Sequence, residues 1–447
     1  MNQAGRHSPS VSVTTLGCKS NQYDSSAIEE ALAKGGLIPV PFPGPADAYV
    51  INTCTVTAKT DSQSRQLIRR ARRANPDAVV IVTGCYAEVS PGEIKGLSEV
   101  DYILGNPQKG EIFNYIIKGR SETGPHLLVG PQGRGTPLAL RAAGAGGRTR
   151  VNLKIQDGCN KKCSYCIIPQ ARGVSRSLPI EEVEREIDIL VERGFKEIIF
   201  TGIHLGSWGA DLLPARHLTA VMRLVEKRAW PARFRISSLD PDEVDTEFID
   251  ILRSSKRICN HLHLPIQSGD DGIIKKMKRP YTAGEFSGKV ARLTGQVKGI
   301  SIGTDVIAGF PGEGAREFER TYSLLKDSPL AYLHIFPFSP RRSTPAFDYG
   351  GKVDAAAVKE RGARLKALDT FKRKEFYGRF IGVEAEVLVE GSRDKKTGMA
   401  RGKTRNYIPV FLEGNGKGLE NNFVRVSLKS IHGRSGMGGA ILRKGSL

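Results

Sequence analysis

The sequence lacks any apolar run of the roughly 18–20 residues that a membrane-spanning helix needs. Its first ten residues, MNQAGRHSPS, also lack the apolar segment of a secretory signal peptide. These two absences argue against a membrane protein and against a secreted one, so we expect a cytoplasmic protein without a membrane partner. The length of 447 residues exceeds that of one ordinary hydrophobic core and predicts two or three domains.

Cysteine is scarce, with seven residues in the whole chain. In a cytoplasmic protein these few cysteines are poor candidates for a disulfide framework and better candidates for metal binding or catalysis. Acidic residues are also few, because 47 Asp and Glu stand against 67 Lys and Arg, which gives a formal net charge of +20. From Lys372 to the end the chain has 16 Lys and Arg against 7 Asp and Glu. This excess favours a polyanionic partner, and a merely solvated basic surface is the alternative.

Residues 9–125 alternate between strand and helix patterns and are predicted to form the first domain. Strands are expected over 11–15, 48–51 and 78–82, and helices over 23–34 and 62–73. Continuous apolar strands separated by helices indicate an α/β fold with a doubly wound parallel sheet. Residues 126–148 are predicted to be a linker, because most of this stretch is rich in Gly, Ala and Arg and has little periodicity.

Residues 149–376 contain six further strand patterns, over 151–155, 197–200, 233–237, 261–264, 301–307 and 333–336. Helical patterns fall between them, for example over 180–192 and 243–252. This repeat predicts a partial, open (β/α)6 version of the eight-stranded barrel, with its site at the carboxyl ends of the strands. Residues 377–444 change to short alternating runs separated by charged turns, which predicts a small all-β barrel about the size of an oligonucleotide-binding fold.

The strongest motif is the C-x3-C-x2-C loop of Cys159, Cys163 and Cys166, directly after the first strand of the second domain. Three thiolates can bind three irons of a [4Fe–4S] cluster and leave the fourth iron open. That iron can bind S-adenosylmethionine, and an electron passed to the sulfonium then yields a 5′-deoxyadenosyl radical. A structural zinc site normally needs a fourth ligand, which this loop does not supply, and buried structural cysteines are the other alternative. The spacing resembles that of the radical S-adenosylmethionine (radical-SAM) superfamily.

Several positions near the strand ends are candidates for contacts with S-adenosylmethionine. Tyr165 lies between the second and third cysteines of the loop, where it would stack or hydrogen-bond near the adenine. The superfamily resemblance places Gly202 and His204, after the second strand, near the methionyl amino group. Each of these positions alone also fits an ordinary turn, and their joint order gives them weight. The remaining candidates, for carboxylate, ribose and adenine contacts, are Ser237, Gln267 and Asp305.

A second set of cysteines, Cys18, Cys54 and Cys85, looks scattered, but each residue follows a predicted strand of the first domain. The carboxyl ends of parallel strands meet at one edge of a sheet. The three thiolates would therefore converge on a second [4Fe–4S] site that also has one open iron. The alternative is three buried structural cysteines, because cysteine is among the residues most often buried. Cys259 is expected to pack in the core.

The chain resembles the methylthiotransferases over nearly its full length, and the predicted C-terminal barrel resembles their RNA-binding TRAM domain. The motif Leu16-Gly17-Cys18-Lys19 is most similar to the corresponding motif of the branch that acts on N6-threonylcarbamoyladenosine in tRNA. The sequence departs from the family pattern at Gln170, where an aromatic residue is usual, and over 174–177, which lacks a common acidic residue. The blocks that carry the resemblance, in chain order, are TLGCKSNQYDS (15–25), INTCTVT (51–57), VTGCYAE (82–88), QDGCNKKCSYCIIPQARG (156–173) and HLPIQSGDD (263–271).

The resemblance implies an enzyme that converts N6-threonylcarbamoyladenosine, at position 37 beside the tRNA anticodon, to its 2-methylthio derivative. It implies two [4Fe–4S] clusters, with the one on Cys18, Cys54 and Cys85 carrying the sulfur, and S-adenosylmethionine as both methyl donor and radical source. The expected partners are tRNA, a flavodoxin- or ferredoxin-type electron donor and a sulfur donor, and the protein is expected to be a monomer. Phosphates would be held by the C-terminal barrel and by a basic helix, although a solvated face also fits that helix. Its arginines are Arg65, Arg69, Arg70, Arg72 and Arg73.

Three alternative functions stay open from the sequence. Two belong to the same family, namely the branch that modifies isopentenyladenosine in tRNA and the branch that modifies an aspartate of a ribosomal protein. The third is a non-catalytic iron–sulfur protein that binds RNA and senses redox state. Two sites with an open iron argue against this third function, because structural clusters normally have every iron ligated.

Overall fold

The computed structural model describes residues 8–130, 149–414 and 418–444. Most of the predicted linker, residues 131–148, lies outside the described residues. Within the described part of the chain, no helix combines the length and the apolar character needed to cross a membrane.

The N-terminal domain is built on one parallel sheet, as predicted. Its strands are β1 (Ser10–Thr15), β2 (Ile38–Pro39), β3 (Ala48–Thr53), β4 (Val79–Gly84), β5 (Tyr102–Leu104) and β6 (His126–Leu128). They are hydrogen-bonded in the order β2-β1-β3-β4-β5-β6, with every pair parallel. The helices are α1 (Lys19–Lys34), α2 (Ala58–Ala74), α3 (Cys85–Val89), α4 (Pro91–Lys95) and α5 (Ile112–Lys118), with a 3-10 turn over Pro107–Glu111.

The sheet buries both of its faces, which explains its continuous apolar strands. Val50 of β3 packs in one apolar cluster with α1 and α5, whereas its neighbour Ile51 packs in a second cluster with α2 and α4. Successive side chains of a strand point to opposite faces, so helices cover both sides. The predicted end of this domain at residue 125 is too early, because His126–Leu128 pairs with β5 as the sixth strand.

The central domain begins at β7 and contains the predicted open barrel. Its strands are β7 (Arg150–Lys154), β8 (Gln156–Asp157), β9 (Arg176–Ser177), β10 (Glu197–Thr201), β11 (Arg233–Ile236), β12 (His261–His263), β13 (Ser301–Ala308) and β14 (Tyr332–Pro337). Its helices are α6 (Ile168–Arg172), α7 (Ile180–Glu192), α8 (Leu218–Arg228), α9 (Thr246–Ser254), α10 (Asp271–Lys276), α11 (Ala283–Gln296), α12 (Ala315–Asp327) and α13 (Ala355–Gly378).

Six of these strands follow one another around the barrel in chain order. Parallel pairing links β7-β10-β11 and β12-β13-β14, and a parallel bridge between Ser238 and His263 joins the two groups. Among the described residues no pairing closes β14 onto β7, so the barrel is open on that side. Cys259 is fully buried in the core before β12, as expected.

The C-terminal domain is a closed barrel with strand order β15-β16-β17-β19-β18. Phe376 and Tyr377, in the last turn of α13, pack into its apolar core. The predicted boundary between residues 376 and 377 therefore falls inside a continuous helix, which ends at Gly378. The strands are β15 (Glu384–Arg393), β16 (Ala400–Thr404), β17 (Pro409–Glu413), β18 (Phe423–Ile431) and β19 (Met437–Lys444).

The turn between β16 and β17 attaches this barrel to the central domain. Buried Arg233 donates from Nη2 to the carbonyl of Lys403 over 2.9 Å, and buried Arg235 donates from Nη1 to the carbonyl of Arg405 over 2.9 Å. Both guanidinium groups also bind the buried carboxylate of Glu197, with Nε–O distances of 2.6 and 3.0 Å. The C-terminal barrel is thus joined to the interior of the central domain through charged side chains that are fully buried.

Candidate active site

The N-terminal cysteines lie at the carboxyl ends of three adjacent strands. Cys18 follows β1 and precedes α1, Cys54 directly follows β3, and Cys85 follows β4 as the first residue of α3. Gly17 makes the close approach of two of these loops possible, because it has a φ of +105° and a Cβ there would lie 2.7 Å from the Cβ of Cys54. The predicted convergence at one sheet edge is therefore what the structure shows, while the role of the cysteines as iron ligands stays a prediction.

These three thiols influence one another electrostatically, as expected for groups that lie close together. Burial raises the pKa of Cys54 to about 12, and the charges of Cys85 and Cys18 add to the rise. Burial also raises the pKa of Cys85, and the nearby positive charge of Arg172 opposes this rise. Such buried thiols become thiolates when a metal supplies the compensating charge.

The second cysteine trio lies on the loop between β8 and α6. The loop is fixed by backbone hydrogen bonds from Cys159 to Gly173 (3.0 Å) and from Cys166 to Cys163 (3.1 Å). Two donors point at its sulfur atoms, because Arg279 Nη1 lies 3.2 Å from Sγ of Cys163 and the backbone N of Lys161 lies 3.4 Å from Sγ of Cys159. Hydrogen bonds of this kind to the sulfur ligands are typical of iron–sulfur clusters.

In neither cysteine trio do all three sulfur atoms lie within 4.8 Å of one another. In the described residues, two sets of possible metal ligands have all their ligand atoms within 4.8 Å of one another, and neither set includes a cysteine. A tetrahedral zinc ion, with zinc–sulfur bonds of about 2.3 Å, would hold its sulfur atoms within about 4 Å. Wider trios fit a [4Fe–4S] cluster, in which each cysteine binds a different iron. The two sets with close ligand atoms are His263/Asp305/His334 and His204/Asp240/Glu243.

One cavity of about 530 Å³ lies between the three domains. The N-terminal domain contributes the loop around Cys18. The central domain contributes residues that lie in, or directly after, strands β10 to β14, and the C-terminal barrel contributes Tyr407. At the end of β10 the cavity reaches Gly202, two residues from His204, whose pKa is raised by the neighbouring Cys159 and Glu243. The cavity therefore extends from one cysteine trio towards the other. Its lining residues are Gly17, Cys18, Lys19, Ser20, Gln22, Thr201, Gly202, Ser237, Ser238, His261, His263, Asp305, Tyr332, His334, Phe336 and Tyr407.

Three of the six predicted cofactor contacts, Gly202, Ser237 and Asp305, line this cavity. Gly202 is small for a steric reason, since a Cβ there would lie 2.7 Å from Oε1 of Gln156. Asp305 accepts a hydrogen bond from Nε2 of His263 over 2.7 Å, and Nδ1 of His334 lies 3.3 Å from the same oxygen. Burial opposes the charge on Asp305, but these histidines outweigh it and hold its pKa well below the usual range.

The other three candidates, Tyr165, His204 and Gln267, do not line the cavity. Tyr165 packs against an apolar cluster that includes Phe310. Gln267 has a φ of +68° and its backbone N donates to the carbonyl of Asp305. Their contact with the cofactor stays a prediction.

His204 has the most unusual surroundings of these three residues. Its side chain contacts Glu243, and it lies close enough to Cys159 to be influenced by that thiol. Burial lowers its pKa, but the interactions with Cys159 and Glu243 outweigh that effect and raise it to about 9. The side chain is therefore protonated at neutral pH, so it is suited to donate to a thiolate.

A buried network of charges between the two cysteine trios was not predicted from the sequence. Nη1 of Arg172 lies 2.9 Å from Asp24 and 3.2 Å from Asp157, and Asp24 also binds Lys109 over 2.6 Å and Lys154. Burial opposes the charge on Asp24, but the three cations outweigh it and hold its pKa well below the usual range. The only sequence signal was the position of Asp24 and Arg172 inside family-like blocks.

The predicted basic helix corresponds to α2, and its arginines are not equivalent. Arg72 is mostly buried and donates to Asp101 over 2.8 Å and to the carbonyls of Pro76 and Ala78. Its inclusion among the phosphate contacts is therefore wrong, because these hydrogen bonds hold it within the domain. Arg65 and Arg69 each lie beside a glutamate. The phosphate-binding role of the rest of the helix stays a prediction.

Comparisons with known proteins agree with this architecture. Residues 10–105 match the sequence model described as "Uncharacterized protein family UPF0004", and residues 153–325 match that of the Radical SAM superfamily. The fold is similar to that of the radical S-adenosylmethionine methyltransferase TsrM from Kitasatospora setae, with a TM-score of 0.55. The aligned region covers 76% of this chain and 77% of the TsrM chain. At 17% identity this likeness shows the fold alone.

Sequence relatives identify the family. The chain is 40% identical to "Threonylcarbamoyladenosine tRNA methylthiotransferase MtaB" of Bacillus subtilis, with 90% of each chain covered. It is 38% identical to the MtaB protein of Aquifex aeolicus, over 90% of this chain and 97% of that one. Identity falls to 31% for the "tRNA-2-methylthio-N(6)-dimethylallyladenosine synthase" of Moorella thermoacetica, over 93% and 95% of the two chains. The chain therefore belongs to the radical-SAM tRNA methylthiotransferase family.

Proposed function

We propose that this protein transfers a methylthio group to C2 of N6-threonylcarbamoyladenosine at position 37 of tRNA. The observation that carries the proposal is a cavity lined by all three domains, which includes Cys18 of the first trio and reaches Gly202 at the end of β10, two residues from His204 beside the second trio. A reaction that needs both a radical and a sulfur carrier requires such an arrangement, because the substrate base has to reach both groups. The name and high coverage of the MtaB relatives support the choice of base.

The donor sets fit two [4Fe–4S] clusters, one on each cysteine trio. When bound, the cluster on Cys159, Cys163 and Cys166 supplies an electron that cleaves S-adenosylmethionine, and the cluster on the N-terminal cysteines supplies an iron that carries the sulfur. A flavodoxin- or ferredoxin-type protein is the proposed source of electrons, and a separate sulfur donor is required.

The side chains around the clusters stabilise charge. Arg279 donates a hydrogen bond to the sulfur atom of Cys163, and protonated His204 places a second positive charge near Cys159. Arg172 donates to the sulfur atom of Cys85 over 3.3 Å. Hydrogen bonds to cluster sulfurs make reduction easier, so these residues set the potential at which an electron enters.

The cavity residues position S-adenosylmethionine and the target base. Gly202 keeps the end of β10 narrow, and Ser237 lines the same space. The base has to leave its stack to enter this enclosed space, which costs least for an unpaired anticodon-loop residue. The net charge of +20 and the C-terminal barrel supply the attraction for the phosphates of tRNA.

The direct test uses purified full-length protein with reconstituted clusters, dithionite, S-adenosylmethionine and tRNA that carries N6-threonylcarbamoyladenosine. Mass spectrometry of the digested nucleosides should show the 2-methylthio derivative, and tRNA from cells that lack the gene should show its loss. A parallel reaction uses tRNA with isopentenyladenosine at position 37. Modification of only that second tRNA would assign the protein to the other branch, and no cleavage of S-adenosylmethionine at all would favour a non-catalytic redox sensor.

A further inference from the structure

The substrate cavity contains positive charge that has no anionic partner. Lys19, next to Cys18, lines the cavity, and Lys403 lies behind the cavity residue Tyr407, in contact with its ring. Among the ion pairs of the residues that the structure describes, none involves Lys19 or Lys403. A cation in a partly buried site without a counterion is unfavourable, so a ligand with a negative group would be stabilised there.

Tyr407 marks the point at which these charges converge. It belongs to the turn between β16 and β17 and is held at a φ of +69°. Nζ of Lys403 lies 3.7 Å from the centre of its ring, and the guanidinium carbon of Arg235 lies 4.7 Å from it. Burial raises the pKa of Tyr407, but the charges of Lys403, Lys19, Arg150 and Arg235 outweigh that effect and lower it to about 7.

The nearby carboxylates already have partners. Glu197 is fully buried between Arg233 and Arg235. Asp305 is bound by His263 and His334. Neither carboxylate pairs with the lysines, so the part of the cavity between Lys19 and Tyr407 is net positive.

We propose that Lys19 and Tyr407 form a subsite for the carboxylate of the amino-acid substituent on N6 of the target adenine. The proposal rests on the proposed function and adds how the substrate is recognised. The ammonium group of Lys19 pairs with the carboxylate. The negative charge of the bound carboxylate favours the neutral form of Tyr407, whose hydroxyl then donates a hydrogen bond to it. A neutral alkyl substituent would leave the ammonium group without a partner in a partly buried site, so the subsite selects against it.

The subsite draws on two different domains. Lys19 lies in the N-terminal domain, one residue from a predicted ligand of the sulfur-carrying cluster, and Tyr407 comes from the C-terminal barrel. Recognition of the substituent would thus require all three domains to be assembled, since the adenine itself lies against the central domain. The C-terminal barrel would contribute to substrate choice as well as to binding of tRNA.

The test compares two anticodon stem-loop RNAs that differ in one group. One carries N6-threonylcarbamoyladenosine, and the other carries the same substituent with the carboxylate replaced by a carboxamide. We expect the full-length wild-type enzyme to prefer the carboxylate by at least about 30-fold in kcat/KM, the factor that corresponds to loss of a desolvated charge pair. Lys19→Met and Tyr407→Phe should each reduce the preference, mainly by raising KM for the carboxylate RNA. Lys19→Arg should retain most of it.

Controls separate this role from a structural one. Lys227→Met removes an exposed lysine on α8 and should leave the preference unchanged. Iron content and cleavage of S-adenosylmethionine without RNA are measured for every variant, and both should stay at the wild-type level in Lys227→Met. If Lys19→Met loses iron, its preference is not interpreted. The role of the subsite is then judged from the reduced preference expected in Tyr407→Phe and the retained preference expected in Lys19→Arg.

Several outcomes would overturn the proposal. One is a wild-type preference that survives in both Lys19→Met and Tyr407→Phe. Another is a raised KM for S-adenosylmethionine in Lys19→Met with an unchanged preference between the two RNAs, which would assign the lysine to the carboxylate of the cofactor. Failure of the wild-type enzyme to modify either RNA would instead refute the proposed function, so the two failures are distinguishable.

Discussion

Nε of Arg172 lies 3.3 Å from the sulfur of Cys85 and donates a hydrogen bond to it. Arg172 ends the helix that begins two residues after Cys166, so one buried side chain connects the loop of the second cysteine trio with a member of the first. Its Nη1 binds Asp24 and Asp157. The guanidinium group of Arg172 therefore joins the N-terminal domain to the central domain beside Cys85.

The contact with Cys85 should be visible in the properties of the N-terminal cluster. Arg172→Lys keeps the charge but lacks the planar guanidinium that reaches the carboxylates and the sulfur together. We expect the midpoint potential of the N-terminal cluster to fall, while that of the cluster on Cys159, Cys163 and Cys166 stays unchanged. Redox titration followed by electron paramagnetic resonance measures both. Arg185→Lys, on an exposed face of α7, is the matched control, and equal potentials in all three proteins would contradict the assignment.

Asp24 should be important for stability, because it is the shared partner of three buried cations. Asp24→Asn keeps the volume but leaves Lys109, Lys154 and Arg172 with one carboxylate fewer. Removal of one partner from a buried ion network typically costs about 3–5 kcal/mol. Calorimetry at pH 7 should show a clearly lower unfolding temperature. Asp77→Asn, at a side chain that is 95% exposed, should leave that temperature within about 1 °C of wild type, and an equal effect of the two changes would refute this role.

Replacement of Cys18, Cys54 and Cys85 by Ala should uncouple the reaction. Cleavage of S-adenosylmethionine would continue, because the other trio is intact, but no methylthio product would form without the sulfur carrier. Parallel quantification of 5′-deoxyadenosine and of the modified nucleoside tests this expectation. Product at a normal yield from the triple variant would contradict the two-cluster account. Cys259→Ala, which removes a cysteine from the core, should keep the two activities coupled.

The C-terminal barrel should bind tRNA mainly through exposed charges. Arg393, Lys395 and Lys396 lie at the exposed tip of the β15–β16 hairpin. Their joint replacement by Gln should weaken tRNA binding and flatten the slope of log K against log salt by about 2, because each lost phosphate contact removes about 0.7–0.9. An unchanged slope would show that this tip does not contact the phosphates.

A matched set of charges controls for the loss of net charge in that experiment. Arg223, Lys227 and Arg253 are exposed on α8 and α9, and their replacement by Gln should leave the slope unchanged. Deletion of the whole barrel would be a poorer test. It would also expose Arg233 and Arg235, which donate to backbone carbonyls of the β16–β17 turn, so the catalytic domain itself would be disturbed.

Much of the fold could be predicted because its strands have strong local signals. The apolar runs of β3 and β4 predict two buried parallel strands. Because the carboxyl ends of parallel strands lie at the same edge of a sheet, Cys54 and Cys85 are both expected at that edge. Short or irregular elements gave no such signal. The strand His126–Leu128 is only three residues long and partly exposed, and α1 begins at Lys19, four residues before the predicted start, without a side-chain cap.

The parts of the site that the sequence did not predict depend on contacts between distant segments. Tyr407 enters the cavity from a domain that begins more than 200 residues after the cysteine loop, so no spacing rule relates the two. Arg172 and Asp24 are 148 residues apart. Gln170, which looked like a small departure from the family pattern, donates to the carbonyl of Ser343 over 2.6 Å and so has a local structural role.

The most direct test of the account measures 5′-deoxyadenosine and iron in the variant with Cys159, Cys163 and Cys166 replaced by Ala. We predict that the reduced, reconstituted wild-type protein releases 5′-deoxyadenosine and that this variant releases none, because no other group in the proposed mechanism reduces S-adenosylmethionine. Its iron content should fall from about eight to about four atoms per chain, the contents of two clusters and of one. Continued cleavage of S-adenosylmethionine by the triple variant would contradict the central assignment.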